Sequence, residues 1–351
     1  MARSAKLSAA ALQSASILVR VPNWVGDAVM TLPALRALRS AAPKARITLL
    51  ARPWVRDVYP LDELQFELIE YDSQSTHRGV GGRLAIARLL RSRRFDVALL
   101  FQNAFDAALV SWLARIPVRA GYARDGRGLL LTHPVEPPRK GETPRHESHY
   151  YLELLKRLGI IDTYEQVQSI SLRPESFARE GREKLLTRLG LAPNTHSIVG
   201  ISPGASFGTA KRWPAERFAE LLRQLSNQTG ATCLLFGSAQ EAGLATQVAA
   251  AAPEHTVLLA GKTSLHEFME LVAGCDAYLT NDTGTMHVAA ALGVPTLAIF
   301  GPTNEHETAP LGRHVEMIVG QAECRPCKLR HCPYGHHQCM TSISPEQVCA
   351  R

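Results

Sequence analysis

Residues 277–302 read AYLTNDTGTMHVAAALGVPTLAIFGP and follow the order strand, turn, helix, strand. The first and last runs are apolar throughout, as strands buried on both faces of a parallel sheet are. Asn281 or Asp282 is placed to cap the helix, and Gly293 is placed to end it. The stretch therefore predicts a β-α-β unit of an α/β fold.

Short apolar runs separated by helix-length segments recur along the whole chain, which predicts α/β structure in both halves. Helical periodicity is lost near residues 160–175, and this loss indicates a domain boundary. We expect a disordered tail over 1–16, one Rossmann-like domain over 17–170 and a second over 171–351. The predicted strands are 17–21, 46–50, 96–101 and 118–122, followed by 197–202, 231–236, 256–260, 277–280 and 295–300.

Charge is distributed unevenly along the 351 residues, whose formal net charge is +7. Residues 1–170 hold 24 Lys and Arg against 16 Asp and Glu, whereas residues 171–351 hold 15 against 16. A basic first half favours an anionic partner such as a nucleic acid, an acidic lipid surface or a phosphorylated substrate. A solvated arginine-rich surface explains the same numbers. No apolar run reaches the roughly 18 residues that indicate a spanning helix.

Three predicted strand ends in the second half carry residues suited to a nucleotide diphosphate. Gly284 leaves backbone amides open at a helix N-terminus, beside Thr283 and one turn before His287. The loop PGASFGTAKRWP delivers Lys211 after another strand, and Glu241 follows a third. A carboxylate at Glu241 is suited to ribose hydroxyls or to capping a helix. Each signal also has a purely structural explanation.

Several cofactor classes lack their sequence motif in this chain. No G-x-G-x-x-G follows a first strand, and no G-x-x-x-x-G-K-[ST] is present, which argues against dinucleotide binding and against a P-loop NTPase. No Asp-x-Asp pair is present to hold a divalent metal on a sugar nucleotide. The pattern favours metal-independent transfer from a nucleotide diphosphate, with no cofactor required.

An acidic residue also follows the first predicted strand, in LVRVPNWVGDAVMT at 18–31. Asp27 comes directly after a glycine where the strand gives way to a helix. Two interpretations stay open, a helix cap and a catalytic base.

Five stretches in fixed order resemble the ADP-heptose:lipopolysaccharide heptosyltransferases, and the first of them resembles the heptosyltransferase II branch. They are PNWVGDAVMTLPALRALR, NAFDAALVSWLARIPVRAGY, RHESHYYLELLKRLGI, GASFGTAKRWP and NDTGTMHVAAALGVPTLAIFGPT. The resemblance implies the GT-B architecture, with two Rossmann-like domains whose parallel sheets face across a cleft. It also implies an inverting glycosyltransferase, with the acceptor on the N-terminal domain and the donor on the C-terminal one.

Carried over by position, the resemblance makes Asp27 the general base and Lys211 a catalytic residue at the leaving group. It assigns the ADP-heptose donor to Ser206, Lys211, Glu241, Asp282, Thr283, Gly284 and His287. The family often has a serine where Ala104 stands and an acidic residue where Ser206 stands. The implied acceptor is an anionic heptosyl-Kdo-lipid A, so we expect a cytoplasmic enzyme in peripheral contact with the inner membrane. A different nucleotide sugar or heptose acceptor is the alternative within this class.

The C-terminal end carries a cysteine-rich segment, ECRPCKLRHCPYGHHQCM. Cys324, Cys327, Cys332 and Cys339 are either ligands of a structural zinc or reduced thiols packed in a loop. Beyond them, Ser344, Pro345 and Gln347 predict the capped start of a short final helix. A zinc-knuckle-like tail on a basic protein also leaves RNA binding as an alternative function, although we expect no nucleic acid partner.

Overall fold

The structure, a computed structural model, describes residues 6–172, 176–190 and 197–351. The chain divides into two compact units, Met1–Val167 and Gln168–Arg351. The boundary expected from the sequence, at residue 170, falls close to this division.

The first unit is a six-stranded parallel sheet flanked by helices. Its strands are β1 Ser16–Arg20, β2 Arg46–Ala51, β3 Glu67–Glu70, β4 Val97–Leu100, β5 Val118–Tyr122 and β6 His133–Val135. Its helices are α1 Ala9–Leu12, α2 Val25–Met30, α3 Leu32–Ala41, α4 Leu61–Leu64, α5 Gly79–Ser92, α6 Phe105–Leu113 and α7 Ser148–Leu158, with 3-10 turns at Pro53–Val58 and Arg127–Leu130.

The second unit is built in the same way. Its strands are β7 Ile198–Ser202, β8 Thr232–Leu235, β9 Thr256–Leu258, β10 Ala277–Asn281, β11 Thr296–Phe300 and β12 Val315–Val319. Its helices are α8 Ser176–Leu189, α9 Ala215–Thr229, α10 Ala242–Ala249, α11 Leu265–Ala273, α12 Gly284–Ala291, α13 Glu305–Thr308, α14 Gln338–Thr341 and α15 Pro345–Cys349, with 3-10 turns at Thr209–Lys211, Ala239–Glu241 and Pro253–His255.

The two sheets have one topology. The strand orders are β3-β2-β1-β4-β5-β6 and β12-β11-β10-β7-β8-β9. If the strands of each unit are numbered from one to six, both orders become 3-2-1-4-5-6, which is that of dinucleotide-binding domains. In such sheets ligands bind outside the carboxyl ends of the strands, where the order reverses. This point lies between β1 and β4 in the first unit and between β7 and β10 in the second.

The α/β fold class expected from the sequence is confirmed, and all nine predicted strands are present. Three strands, β3, β6 and β12, were not predicted, and each lies at the edge of its sheet. The residues of β3 and β12 are half-buried or exposed, and β6 contains Pro134. An edge strand is packed on fewer sides than a central one, so it can lack the continuous apolar run used to find the others, as these three do and the edge strand β9 does not.

The expectation of a disordered tail is wrong for the described part of residues 1–16. Ser8 caps the short helix α1 through its side chain, and Leu12 on that helix is buried. The amide of Leu7 donates to the carbonyl of Leu158, 2.8 Å away. The sequence does not predict this turn of helix, because two buried leucines five residues apart, Leu7 and Leu12, are too few to give a helical period.

Close packing at the centre of the second sheet explains a glycine in β7. A β-carbon on Gly200 would lie 2.8 Å from a ring carbon of Tyr278 and 3.3 Å from one of Phe236. Both rings are buried, so the strand and its neighbours leave no room for a methyl group.

We predict that Gly200→Ala lowers the free energy of unfolding by about 1–3 kcal/mol, because overpacking forces buried rings to move. Gly243→Ala is the matched control, since a β-carbon there meets no atom within 4 Å. It should be neutral or slightly stabilising. Urea unfolding of both variants tests this, and equal stabilities would contradict it.

Candidate functional site

The reversal point of the second sheet is flanked by two loops. The loop after β7 runs from Pro203 to the 3-10 turn Thr209–Lys211, and the loop after β10 contains Asp282 and Thr283. Both loops start from neighbouring parallel strands, so they meet at the carboxyl ends of the strands, on the same side of the sheet. Lys211 and Asp282 are brought together there.

An ion pair joins these loops. Lys211 Nζ lies 2.6 Å from Asp282 Oδ2, and the two side chains are only 13% and 5% exposed. The hydroxyl of Thr303 donates to the same carboxylate oxygen at 2.5 Å. The carboxylate is therefore held from two sides, and the ammonium group is held at the edge of the sheet.

Asn281 strengthens the connection between the two loops. Its side-chain amide donates to the carbonyls of Pro203 and Gly204, at 2.8 and 3.1 Å, and its oxygen accepts from the amide of Trp213 at 3.0 Å. Asn281 itself is fully buried. A single side chain thus fixes the beginning and the end of the loop that carries Lys211.

Glu241 reaches the same place from the loop after β8. Its carboxylate accepts from the amide and the hydroxyl of Ser238 at 2.9 and 2.8 Å, which is a capping box. A β-carbon on Gly204 would lie 2.2 Å from Glu241 Oε1, so the carboxylate lies directly against that glycine. Glu241 therefore caps the 3-10 turn Ala239–Glu241, and its carboxylate also contacts the loop after β7.

The start of α12 differs from the sequence expectation. The N-cap is Thr283, and neither Asn281 nor Asp282 caps the helix, because their side chains bond to other loops. The Thr283 hydroxyl lies 2.7 Å from that of Thr285. Gly284 is the first helical residue, and buried His287 lies one turn further on. Gly293 follows the helix with φ +84°, as expected of a terminating glycine.

An aromatic ring borders Lys211. The Phe207 ring lies 5.0 Å from Lys211 Nζ and 4.9 Å from the guanidinium carbon of Arg330. Ser206 is exposed in the turn just before this ring. The loop therefore presents two cations on one ring and a hydroxyl beside them.

The cysteine-rich segment, residues 324–339, packs on the loop after β7 and on the loop after β11 that contains Thr303. The carbonyl of Arg330 accepts from the amide of Ala210 at 3.0 Å, and His337 Nε2 lies 2.8 Å from the Ala210 carbonyl. Arg325 pairs with Glu305 at 2.9 Å and donates to the carbonyl of Thr303 at 3.0 Å. The segment is thus a support that holds the Lys211 loop and the Thr303 loop in position.

All seven cysteines are free thiols. Over residues 6–172, 176–190 and 197–351, no group of three or more His, Cys, Asp or Glu side chains is arranged to hold a metal ion. The final helix α15 begins as expected, because Ser344 and Gln347 form a capping box with Pro345 in the first turn.

Asp27 lies in the first unit, after β1. It is half-buried in the first turn of α2, and the N-cap of that helix is Trp24. Asp27 is therefore not the N-cap residue of α2, and its carboxylate lies in the first turn of the helix. Burial raises the pKa of both Tyr59 and Tyr151, and the nearby Asp27 carboxylate raises them further. Asp27 is thus an acidic group beside two buried phenols that stay protonated.

Two buried arginines, Arg20 and Arg127, also lie at the carboxyl ends of the strands of the first sheet. Burial lowers the pKa of Arg20 and of Arg127 to about 10, so both are charged at neutral pH. Arg20 donates to Asn23 at 2.7 Å, and Arg127 donates to Asn103 at 3.0 Å. The edge of the first unit is therefore positively charged, in line with its basic sequence.

Position 104, where the resemblance anticipates serine, is the N-cap of α6. Ala104 has no side-chain oxygen, so this helix starts without a side-chain cap. The neighbouring Asn103 donates to the hydroxyl of Tyr150 at 3.0 Å. The departure therefore removes a helix cap from the loop after β4.

These features define a two-domain α/β protein with a buried lysine at the reversal point of its second sheet. Residues 83–338 match the family model described as glycosyltransferase family 9 (heptosyltransferase). The chain belongs to this family and is a glycosyltransferase. RNA binding is therefore set aside as its function.

Similar proteins and solved structures agree with this family assignment. The chain is 34% identical to lipopolysaccharide heptosyltransferase 2 of Salmonella typhimurium, over 95% of this chain and 96% of that one. It is similar to the structure of E. coli ADP-heptose lps heptosyltransferase II, with a TM-score of 0.79, 31% identity and 95% and 96% of the chains covered. A glycosyl transferase family 9 structure from Veillonella parvula matches with a TM-score of 0.81 at 24% identity, over 99% and 97%. The GT-B fold class is confirmed.

Lys211, Asp282 and Glu241 stay predicted site residues, and the structure shows side chains holding them that the sequence did not indicate. Thr303, Phe207 and the support formed by residues 324–339 were not predicted to contact the site. One signal could have indicated Thr303, because the run GPT at 301–303 directly follows β11 and so also leaves the carboxyl end of a strand.

We predict that Asp282→Ala lowers the free energy of unfolding by about 3 kcal/mol or more, because the substitution leaves a buried ammonium group without its partner. Glu316→Ala is the control. It breaks an exposed ion pair with Arg351 in the same unit and should cost less than about 1 kcal/mol. Chemical unfolding measures both, and a stable Asp282→Ala variant would show that the pair is not held as described.

Proposed function

We propose that this enzyme transfers a heptose from ADP-heptose to the heptosyl-Kdo-lipid A inner core of lipopolysaccharide, with inversion at the transferred carbon. The observation that carries the donor assignment is the buried Lys211–Asp282 pair at the reversal point of the second sheet. Relatives named lipopolysaccharide heptosyltransferase 2 that align over nearly the whole chain support the acceptor class, and the similar E. coli structure named ADP-heptose lps heptosyltransferase II supports the donor.

In this mechanism Asp27 is the base. Its carboxylate takes the proton of an acceptor hydroxyl while that oxygen attacks the anomeric carbon of the heptose. The bond between this carbon and the β-phosphate oxygen breaks, and ADP leaves with the electron pair. The oxocarbenium-like transition state requires a base on one face of the sugar and charge stabilisation on the other.

Lys211 stabilises the leaving diphosphate, and Asp282 positions the ammonium group of Lys211. An ammonium group held by a carboxylate and stacked on Phe207 is available for a phosphate oxygen. The amides at the start of α12, at Gly284, add the positive end of a helix. Such fixed positive groups replace a metal ion at the leaving group, so no metal or cofactor is required for transfer.

The remaining residues have supporting roles in the proposal. Glu241 binds the ribose hydroxyls of the donor, and Ser206, Thr283 and His287 line the donor loop. The N-terminal domain, residues 17–170, binds the acceptor. Buried Arg20 and Arg127 place positive charge at the carboxyl ends of its strands, where an anionic sugar acid or phosphate of the acceptor would bind.

We further propose a cytoplasmic enzyme that contacts the inner membrane peripherally. Free thiols are typical of a reducing compartment. Among the residues that the structure describes, no helix has the length and apolarity needed to cross a bilayer. Contact with a lipid-bearing acceptor then depends on the surface of the protein.

The direct test is product analysis. Purified enzyme, ADP-heptose and heptosyl-Kdo-lipid A should give ADP and an acceptor heavier by one heptose. ADP-glucose and UDP-sugars are the matched donors that should not react. Transfer from one of these in place of ADP-heptose would contradict the donor assignment.

We predict that Asp27→Asn retains stability within about 1 kcal/mol, because asparagine has a similar volume and Asp27 is not the N-cap. Turnover should fall by about a hundredfold to ten-thousandfold, since the amide cannot accept the proton. Asp62→Asn, in the first turn of α4, is the control and should turn over normally. A variant of Asp27 with near wild-type turnover would exclude it as the base.

We predict that Lys211→Ala weakens ADP binding roughly tenfold to a hundredfold, as expected for a lost hydrogen bond to a charged group. Exposed Lys184, which pairs with Glu270, gives the control Lys184→Ala. Calorimetry with ADP and with adenosine separates the diphosphate contribution. Unchanged ADP affinity in Lys211→Ala would place the diphosphate elsewhere.

A further inference from the structure

Exposed apolar side chains concentrate on two neighbouring helices of the first unit. Eleven large hydrophobic residues are exposed in the described chain, and five of them lie on α5 and α6, which pack against each other. They are Val80, Leu84, Leu89, Phe105 and Trp112. Isolated exposed residues need no explanation, but five on one pair of helices form a surface.

Arginines continue this surface toward the ends of the helices. Val80, Leu84 and Arg88 follow one another at four-residue spacing along α5, and Arg91 comes three residues later. They therefore form one row on the helix, apolar first and basic at its end. We call this surface, which also includes Trp112 and Arg115, the α5–α6 face.

A groove of about 590 Å³ opens on this face. Leu84, Arg88 and Arg91 line it from α5, Trp112 lines it from α6, and Arg115 lines it from the loop that follows. Arg88, Arg91 and Arg115 are exposed, and none of the described residues forms an ion pair with them. The groove thus combines apolar walls with three uncompensated positive charges.

We propose that the α5–α6 face docks the enzyme on an anionic phospholipid membrane, with the arginines at the headgroup phosphates and Trp112 and the aliphatic side chains in the interface. The combination of basic and aromatic residues over an apolar patch is that of interfacial binding surfaces. Tryptophan rings favour the headgroup level of a bilayer. The inference rests on the proposed function only in that a lipid acceptor brings the enzyme to a membrane.

Two other occupants fit the face less well. A second copy related by a two-fold axis would set the same uncompensated arginines against each other. RNA would use the arginines and one indole, whereas Val80, Leu84 and Leu89 would remain without a partner. Acyl chains cover these aliphatic side chains, and the phosphates of the same lipids neutralise the arginines.

The test is flotation of the full-length enzyme with vesicles of phosphatidylglycerol and phosphatidylethanolamine, and with phosphatidylcholine alone. The wild type should bind the anionic vesicles and lose binding as salt rises. R88Q/R91Q/R115Q should lower the partition constant roughly a hundredfold, since each basic residue near an anionic leaflet contributes about fivefold. L84S/W112S should lower it at every salt concentration.

The control K44Q/K140Q/R145Q removes the same charge from exposed positions outside the α5–α6 face. It should bind vesicles as the wild type does. Equal losses in the control and in R88Q/R91Q/R115Q would reduce the effect to net charge and overturn the proposal. Wild-type vesicle binding by R88Q/R91Q/R115Q would overturn it as well, and so would single-stranded RNA that displaces the enzyme from anionic vesicles.

A water-soluble acceptor freed of its acyl chains separates this inference from the proposed function. Wild type and R88Q/R91Q/R115Q should transfer heptose to it at equal rates and differ only on vesicle-embedded acceptor. Failure of the wild type on both acceptors would contradict the proposed function and leave the vesicle measurement unaffected.

Discussion

The ion pair of Lys211 and Asp282 is the interaction on which the second unit's binding edge depends. Two opposite charges almost removed from water are tolerated only when each has its partner and the remaining polar positions are satisfied. Thr303 supplies a further hydrogen bond, and Asn281 ties the backbone of the two loops together. A cation is thereby held where the strand order reverses, at the place an α/β sheet offers to a ligand.

The two units have the same strand order, but the charged groups at the carboxyl ends of their strands differ. At the edge of the second unit the cation is matched by a carboxylate, so the local charge is balanced until an anion arrives. At the same end of the first sheet Arg20 and Arg127 bond to carbonyl and amide oxygens, whereas Lys211 bonds to a carboxylate. Among the described residues, the first unit therefore presents its buried cations without a direct carboxylate partner, which favours an anionic ligand at this end of the sheet.

Much of the fold could be predicted because buried parallel strands are apolar throughout. The β3, β6 and β12 strands lie at sheet edges and lack that pattern. The meeting of Lys211 and Asp282 could be predicted because both lie in loops that leave strands of a parallel sheet. Their supports could not, because Thr209 contacts His331 and Trp213 contacts Ile343 across more than a hundred residues. No local pattern in the cysteine-rich segment indicates which loops it packs on.

If Asp282 holds Lys211 for the diphosphate, the two residues must be coupled in ADP binding, and a double-mutant cycle on ADP affinity measures that coupling. Lys211→Met, Asp282→Asn and the double variant retain similar volumes, so calorimetry with ADP isolates the coupling between the two residues. We expect a coupling of about 1 kcal/mol or more, with the double variant binding ADP little more weakly than Lys211→Met alone. Additive losses would contradict it, because they would mean that the two residues act on ADP independently.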